Sequence, residues 1–193
     1  EIPLCDWSSD VCSSDLAIVW NRGFIWSATV RINGLPVKGF DRLIDGDGAM
    51  RWKLLGLVPV MTASGPDIAR SAAGRMAAEL CWLPSILCSD HVSWTSSEAS
   101  HANARLTVQG EAAELDLAVD GMGRVESVKM RRWGDPDGSG FRYADFGAVV
   151  EGEGTFDGYT MPTRLRAGWY FGTPRFETEG EFFRCTVDES EFR

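Results

Sequence analysis

A chain of 193 residues, 44% hydrophobic and with a formal net charge of −9, has the length of one domain that buries about 70% of its unfolded surface. It is acidic and has no basic run, so it lacks the electrostatic footprint of a nucleic-acid binder. No apolar run approaches the roughly 18 residues that a membrane-spanning helix requires.

Glu1–Leu16 differs in character from the rest of the chain. Within it, Asp6–Leu16 reads DWSSDVCSSDL and resembles, codon by codon, the in-frame translation of a common short-read sequencing adapter. Residues 1–16 are therefore expected to be adapter-derived and outside the fold. Ala17–Arg193 is then expected to form a single β-rich domain that lacks its native N-terminal segment. Without Glu1, Asp6, Asp10 and Asp15 the formal charge moves from −9 to −5, and without Cys5 and Cys12 three cysteines remain. Cys81, Cys88 and Cys185 are odd in number and have no C-x-x-C spacing, which gives neither a disulfide framework nor a zinc site. They fit a reducing compartment such as the cytoplasm, and no metal or cofactor is expected.

Phe24–Ile32 alternates: Phe24, Trp26, Ala28, Val30 and Ile32 point one way, and Ser27, Thr29 and Arg31 the other. This is the pattern of a half-buried strand. Asn33-Gly34 is the strongest short hairpin signal, and Val37–Ile44 is the return strand. Asp45-Gly46-Asp47-Gly48 resembles the start of a calcium loop, but Gly56 stands where the closing Glu would be, so it reads as a turn. Met50, Trp52 and Leu54 give a third strand. Leu55–Met61 is continuously apolar and reads as a strand buried on both faces.

Ser64–Leu87 is the one segment with helical periodicity. Ser64 is the expected N-cap, with Asp67 in the place of a capping-box acid and Pro66 in the first turn. Ile68, Ala72, Met76 and Leu80 form an apolar stripe that Ala69, Ala73 and Ala77 widen. Pro84 is the expected terminator. Asp90–Trp94 then leads into a polar stretch, Thr95–Ala102. Arg105–Gln109, Ala113–Val119, Arg124–Trp133, Phe141–Thr155, Tyr159–Tyr170 and Glu179–Val187 come next as strands. Asp120-Gly121, the open Gly134–Gly140 loop and Asp157-Gly158 punctuate them. The fold class is α+β and mostly β: an antiparallel meander forming a curled sheet or half-barrel, with one mid-chain helix against its concave face.

No nucleophile elbow, P-loop or dinucleotide fingerprint is present. His91 and His101 are ten residues apart across a polar stretch, which fixes no metal geometry. The polar constellation of interest is on the helix. Arg75 and Glu79 are four apart and share a face. Arg70 projects from the same rod, Asp41 can face it from the sheet, and Trp82 and Trp94 supply apolar company. A buried ion-pair network that docks the helix explains these residues most simply. A head-group site explains them too, since Arg binds carboxylate and phosphate bidentately.

The order of these motifs is similar to that of a bacterial family of unknown function. FIWSATVRI, GFDRLIDGDGAM, KLLGL, the R-x-x-x-E-x-x-W-x-P run across Arg75, Glu79, Trp82 and Pro84, then Trp94 and FDGYTMPTRLRAGW carry the resemblance. It implies that Asp41, Arg75, Glu79, Trp82 and Pro84 belong to a recurrent motif, and it implies no activity. Members usually carry a further region before the first matching strand. The reading is a non-catalytic module for an apolar or amphipathic, lipid-like ligand, built as lipoprotein-carrier-like half-barrels are, with Arg70, Arg75, Glu79, Trp82, Asp41 and Trp94 as candidate ligand-binding residues. One rival is an enzyme using Glu79 as acid or base, with Arg70 and Arg75 holding an anionic substrate. Another is a structural or interaction domain. Neither nucleic acid nor a transmembrane segment is expected, and the oligomeric state is not legible.

Overall fold

Alternating strands joined by tight turns build the first sheet. The computed structural model describes residues 11–193. β1 (Val11–Val19), β2 (Gly23–Ile32), β3 (Leu35–Ile44), β4 (Asp47–Leu54) and β5 (Val58–Ser64) pair in chain order, all antiparallel. Phe24, Trp26, Ala28 and Val30 are buried, and Ile25, Ser27 and Arg31 are exposed. Asn33 and Gly34 both take positive φ, 52° and 78°, as a two-residue hairpin turn with matching twist requires.

A second meander of seven strands comes after the helix. It comprises β6 (Ser93–Ser97), β7 (His101–Val108), β8 (Glu111–Val119), β9 (Val125–Gly134), β10 (Arg142–Phe156), β11 (Tyr159–Trp169) and β12 (Glu181–Thr186), again each beside the next. The expected fold is present: mostly β, antiparallel, with one main helix. The strands divide into two sheets, neither closed on itself.

Helix α1 (Pro66–Ala78) continues into a 3₁₀ turn, Glu79–Trp82, and a short α2 (Pro84–Leu87). α1 is wedged between the sheets. A side chain at Gly48 of β4 would lie 2.3 Å from the Ala69 Cα, and one at Gly74 would lie 2.9 Å from Arg132 on β9. Glycine and alanine thus let the helix approach both sheets. Ala73, Met76, Ala77 and Leu80 are buried, whereas Ile68 and Ala72 are half-buried.

Several local expectations change. Ser64 ends β5 and does not cap the helix; Gly65, at φ 107°, makes the reversal without a side-chain hydrogen bond. Pro84 starts α2, because its fixed φ suits a first turn. The polar Thr95–Ala102 stretch contains the β6–β7 hairpin, with Ser97 opposite Ala102. Leu55–Met61 is not buried on both faces: β5 is an edge strand, and Leu57, Val58 and Val60 are exposed. The sequence places residues 1–16 outside the fold. Residues 1–10 lie outside the described residues, but Val11–Leu16 belong to β1, with Ser14, Asp15 and Leu16 opposite Ala28, Ser27 and Trp26. Backbone pairing is open to any extended chain beside a free edge, so this pairing does not depend on where the residues came from.

The close approach at Gly48 makes a specific prediction. Gly48→Ala should destabilise the domain by about 1–3 kcal/mol in urea unfolding, since the new methyl meets helix backbone. Gly121→Ala, where nothing lies within 4 Å, should stay within about 0.5 kcal/mol of the parent.

Candidate functional site

Asp41 is on β3, opposite Trp26 on β2 and Met50 on β4, and its register turns it inward. Arg75 comes down from α1 to meet it. Arg75 Nη1 donates to Asp41 Oδ2 at 3.0 Å, and Arg75 Nε donates to Glu79 Oε1 at 2.6 Å. The guanidinium lies 4.9 Å from the Phe24 ring centroid and 4.8 Å from that of Trp26. Trp52 Nε1 donates to Asp41 Oδ1 at 3.3 Å. One cation is thus held by two carboxylates and two aromatic faces.

Burial sets the electrostatics. It pushes the Asp41 carboxyl above the usual carboxylate range, and the nearby Arg75 charge only partly offsets this. Burial also opposes the charge on Arg75, but Glu79 and Asp41 more than restore it, so its pKa lies above the ordinary value. Burial pushes the Cys81 and Cys185 thiols up to about 12, with Glu79 adding to the effect, so neither is a thiolate nucleophile at neutral pH. Glu79 Oε2 is buried and has no hydrogen-bond partner among the described residues.

Arg132 faces this cluster from β9. Its Nε donates to the Ser71 carbonyl at 3.2 Å and its Nη2 to Ser71 Oγ at 3.3 Å. The guanidinium sits 4.7 Å from the Phe146 centroid and 5.1 Å from that of Trp169. Among the described residues no carboxylate lies within ion-pair distance of it. Burial, reinforced by the like charge of Arg75, pushes its pKa down to about 9.

Between the sheets lies a cavity of about 360 Å³. Trp26, Trp52 and Met61 line it from the first sheet, and Phe146, Trp169 and Phe183 from the second. Asp41, Arg75, Glu79, Trp82 and Arg132 supply its polar wall, and Trp82 Nε1 is fixed by the Pro162 carbonyl at 2.9 Å. A broader depression of about 1150 Å³ crosses the outer face of the second sheet past His91, Asp116 and Lys129. It is the more open to solvent of the two and mixes charged side chains with apolar ones, so the more enclosed space between the sheets is the better candidate. Among the described residues no three His, Cys, Asp or Glu side chains converge as a metal site.

Four of the six residues expected from sequence meet at the cavity: Asp41, Arg75, Glu79 and Trp82. Arg70 and Trp94 do not. Arg70 is five residues from Arg75, about 140° around the helix. It pairs instead with Glu111 at 2.9 Å, donates to the Tyr143 hydroxyl at 2.7 Å and stacks 4.2 Å from Trp133. Trp94 is 48% exposed, with its indole N–H on the Leu87 carbonyl. Arg132 is the residue that sequence reasoning missed. Its signal was present: it shares a face with Val128 and Met130 in an alternating strand, so an arginine was written on the buried side.

Fold and site together define a class: a two-sheet β domain with a clamped helix and an aromatic inter-sheet cavity carrying two arginines, Arg75 and Arg132. Over residues 6–192 the chain matches the profile described as "Family of unknown function (DUF6920)", and it belongs to that family. No curated protein and no solved structure matches it.

Two substitutions separate the two arginines. Arg75→Met leaves Asp41 and Glu79 buried without their cation and should cost about 3–5 kcal/mol. Arg132→Met strands no carboxylate, and thermal melts should show a change smaller than about 1.5 kcal/mol, of either sign. Asp41 gives a pH prediction. Its folded pKa is raised, so between the unfolded value and the folded one the native state holds the extra proton. Stability from this group is then present below about pH 4 and is lost as pH rises through the folded pKa. The stability difference between the parent and Asp41→Asn, followed by urea titration at a series of pH values, should therefore shift against the parent as pH increases.

Proposed function

We propose that the domain is a non-catalytic binding module that holds an apolar or amphipathic, lipid-like ligand between its sheets. The cavity carries this reading. Its volume of about 360 Å³ falls in the roughly 300–1,000 Å³ range of small-molecule sites, and its wall is mostly aromatic and aliphatic with a few fixed polar groups. Large rings that serve only as core meet one another and leave no space of this size. Here Trp26 touches Trp52 and Phe183 at centroid distances of 5.5 and 5.9 Å, yet the space beside them stays open.

The enzyme reading is less well supported. Glu79 would need an oxygen within hydrogen-bond reach of a substrate. One of its oxygens is engaged by Arg75 and the other is buried. Arg70, the second cation of that reading, is not at the cavity and is already paired.

Protein purified from cells under gentle conditions should carry a lipid-like adduct in native mass spectrometry. It should also enhance the fluorescence of a polyene fatty acid, and unlabelled long-chain fatty acid should displace that probe. Ala148 lines the cavity from β10. Ala148→Trp should abolish probe uptake while circular dichroism stays unchanged. No adduct and no saturable uptake by the parent would contradict the proposal.

A further inference from the structure

We propose that the outer face of the first sheet, at the end bearing the β2–β3 and β4–β5 turns, is a docking surface for an anionic lipid bilayer. This inference does not depend on what the cavity holds.

Unpaired cations carry the argument. Of the 19 Lys and Arg side chains, six make no ion pair among the described residues: Arg31, Lys38, Arg51, Lys53, Lys129 and Arg132. Four of those six stand together. In register, Ser13, Thr29, Lys38, Lys53 and Pro59 form one row across the outer face, and Asp15, Ser27, Phe40, Arg51 and Thr62 form the next, with the one acid, Asp15, three strands from Arg51. Arg31 lies one step nearer the turns, opposite Pro36. Lys38 faces Lys53 directly across the strands, a like-charge pair that destabilises a sheet. In an acidic chain that pairs most of its other cations, such a cluster is complementary to an external anion.

The second observation is where apolar side chains are exposed. The Leu55 N–H donates to the Pro36 carbonyl at 2.8 Å, so the two turns lie at the same end of the sheet. That end presents Leu35, Leu55, Leu57 and Val58, which are 48%, 56%, 78% and 56% exposed. Lys53 lies two residues behind Leu55, roughly 7 Å at strand rise. That offset matches an interfacial anchor whose aliphatic tip enters the head-group boundary by about 5–10 Å while lysine amines stay at the phosphates. The tip is aliphatic and has no aromatic platform for bases, which favours a bilayer over nucleic acid. Met61 of β5 lines the cavity and is 39% exposed, so this edge of the sheet adjoins the cavity rim.

The test is co-sedimentation of the whole protein with phosphatidylcholine vesicles, with and without phosphatidylglycerol. Binding should require phosphatidylglycerol and weaken with salt. The double variant Lys38→Glu/Lys53→Glu, and separately Leu57→Asp, should each lower the partition coefficient by about tenfold or more. Lys38 and Leu57 are exposed and Lys53 is half-buried on the outer face, so unchanged circular dichroism should accompany the loss. Equal binding to both vesicle types, no binding at low salt, or full binding by the Lys38→Glu/Lys53→Glu variant would overturn the proposal. So would a dimer in sedimentation equilibrium that Leu57→Asp dissociates, since the surface would then belong to a second copy of the chain.

Discussion

The structure depends on one largely buried cation shared by two carboxylates. Arg75 reaches from the helix, Asp41 waits on the sheet, and Glu79 returns from the next helical turn. Two carboxylates without the arginine would lack a compensating cation, with only the Trp52 indole N–H left on Asp41, and the arginine alone would be equally out of place. The trio thus sets how α1 sits on the first sheet. Apolar contact alone does this poorly, because a stripe of alanines can slide along a sheet with little change in buried area, whereas a hydrogen-bonded ion pair has one good register.

That register determines the space beside it. The helix stands between two sheets that otherwise meet through large rings such as Trp26 and Phe183. Gly48 and Gly74 let it approach both closely. Beyond the helix the sheets stay apart, and the space between them is lined by rings and by the side of the ion-pair cluster. Arg132 is the odd member: buried, positive, stacked on Phe146 and Trp169, and hydrogen-bonded among the described residues to Ser71. It is one of the polar groups that line the cavity, with Asp41, Arg75 and Glu79.

Much of this was legible in the sequence. Strict alternation in Phe24–Ile32, the Asn33-Gly34 turn and the i, i+4 spacing of Arg75 and Glu79 each encode a local geometry that tertiary contacts did not override. Asp41 could be assigned to the cluster because an acid in a strand beside an apolar surface needs a cation. What failed did so for physical reasons. Leu55–Met61 is apolar yet exposed along an edge strand, and hydropathy cannot distinguish a buried strand from an exposed one. Arg70 is close to Arg75 in sequence, although five residues place it on another side of the helix. Arg132 lay in plain alternation, but its partner rings come from strands far along the chain. That the meander splits into two sheets depends on where hydrogen bonding stops, which no local pattern records.

Amide hydrogen exchange on the parent and on Arg75→Met tests the central claim most directly. If the ion-pair trio fixes the helix between the sheets, the hydrogen-bonded amides of Ala69–Ala78 exchange only through global unfolding in the parent. In the variant they should exchange by local opening, while the β10–β11 ladder keeps its protection relative to the variant's own stability. Helix amides that remain tied to global unfolding in Arg75→Met would contradict the account and leave apolar contact as what holds the helix.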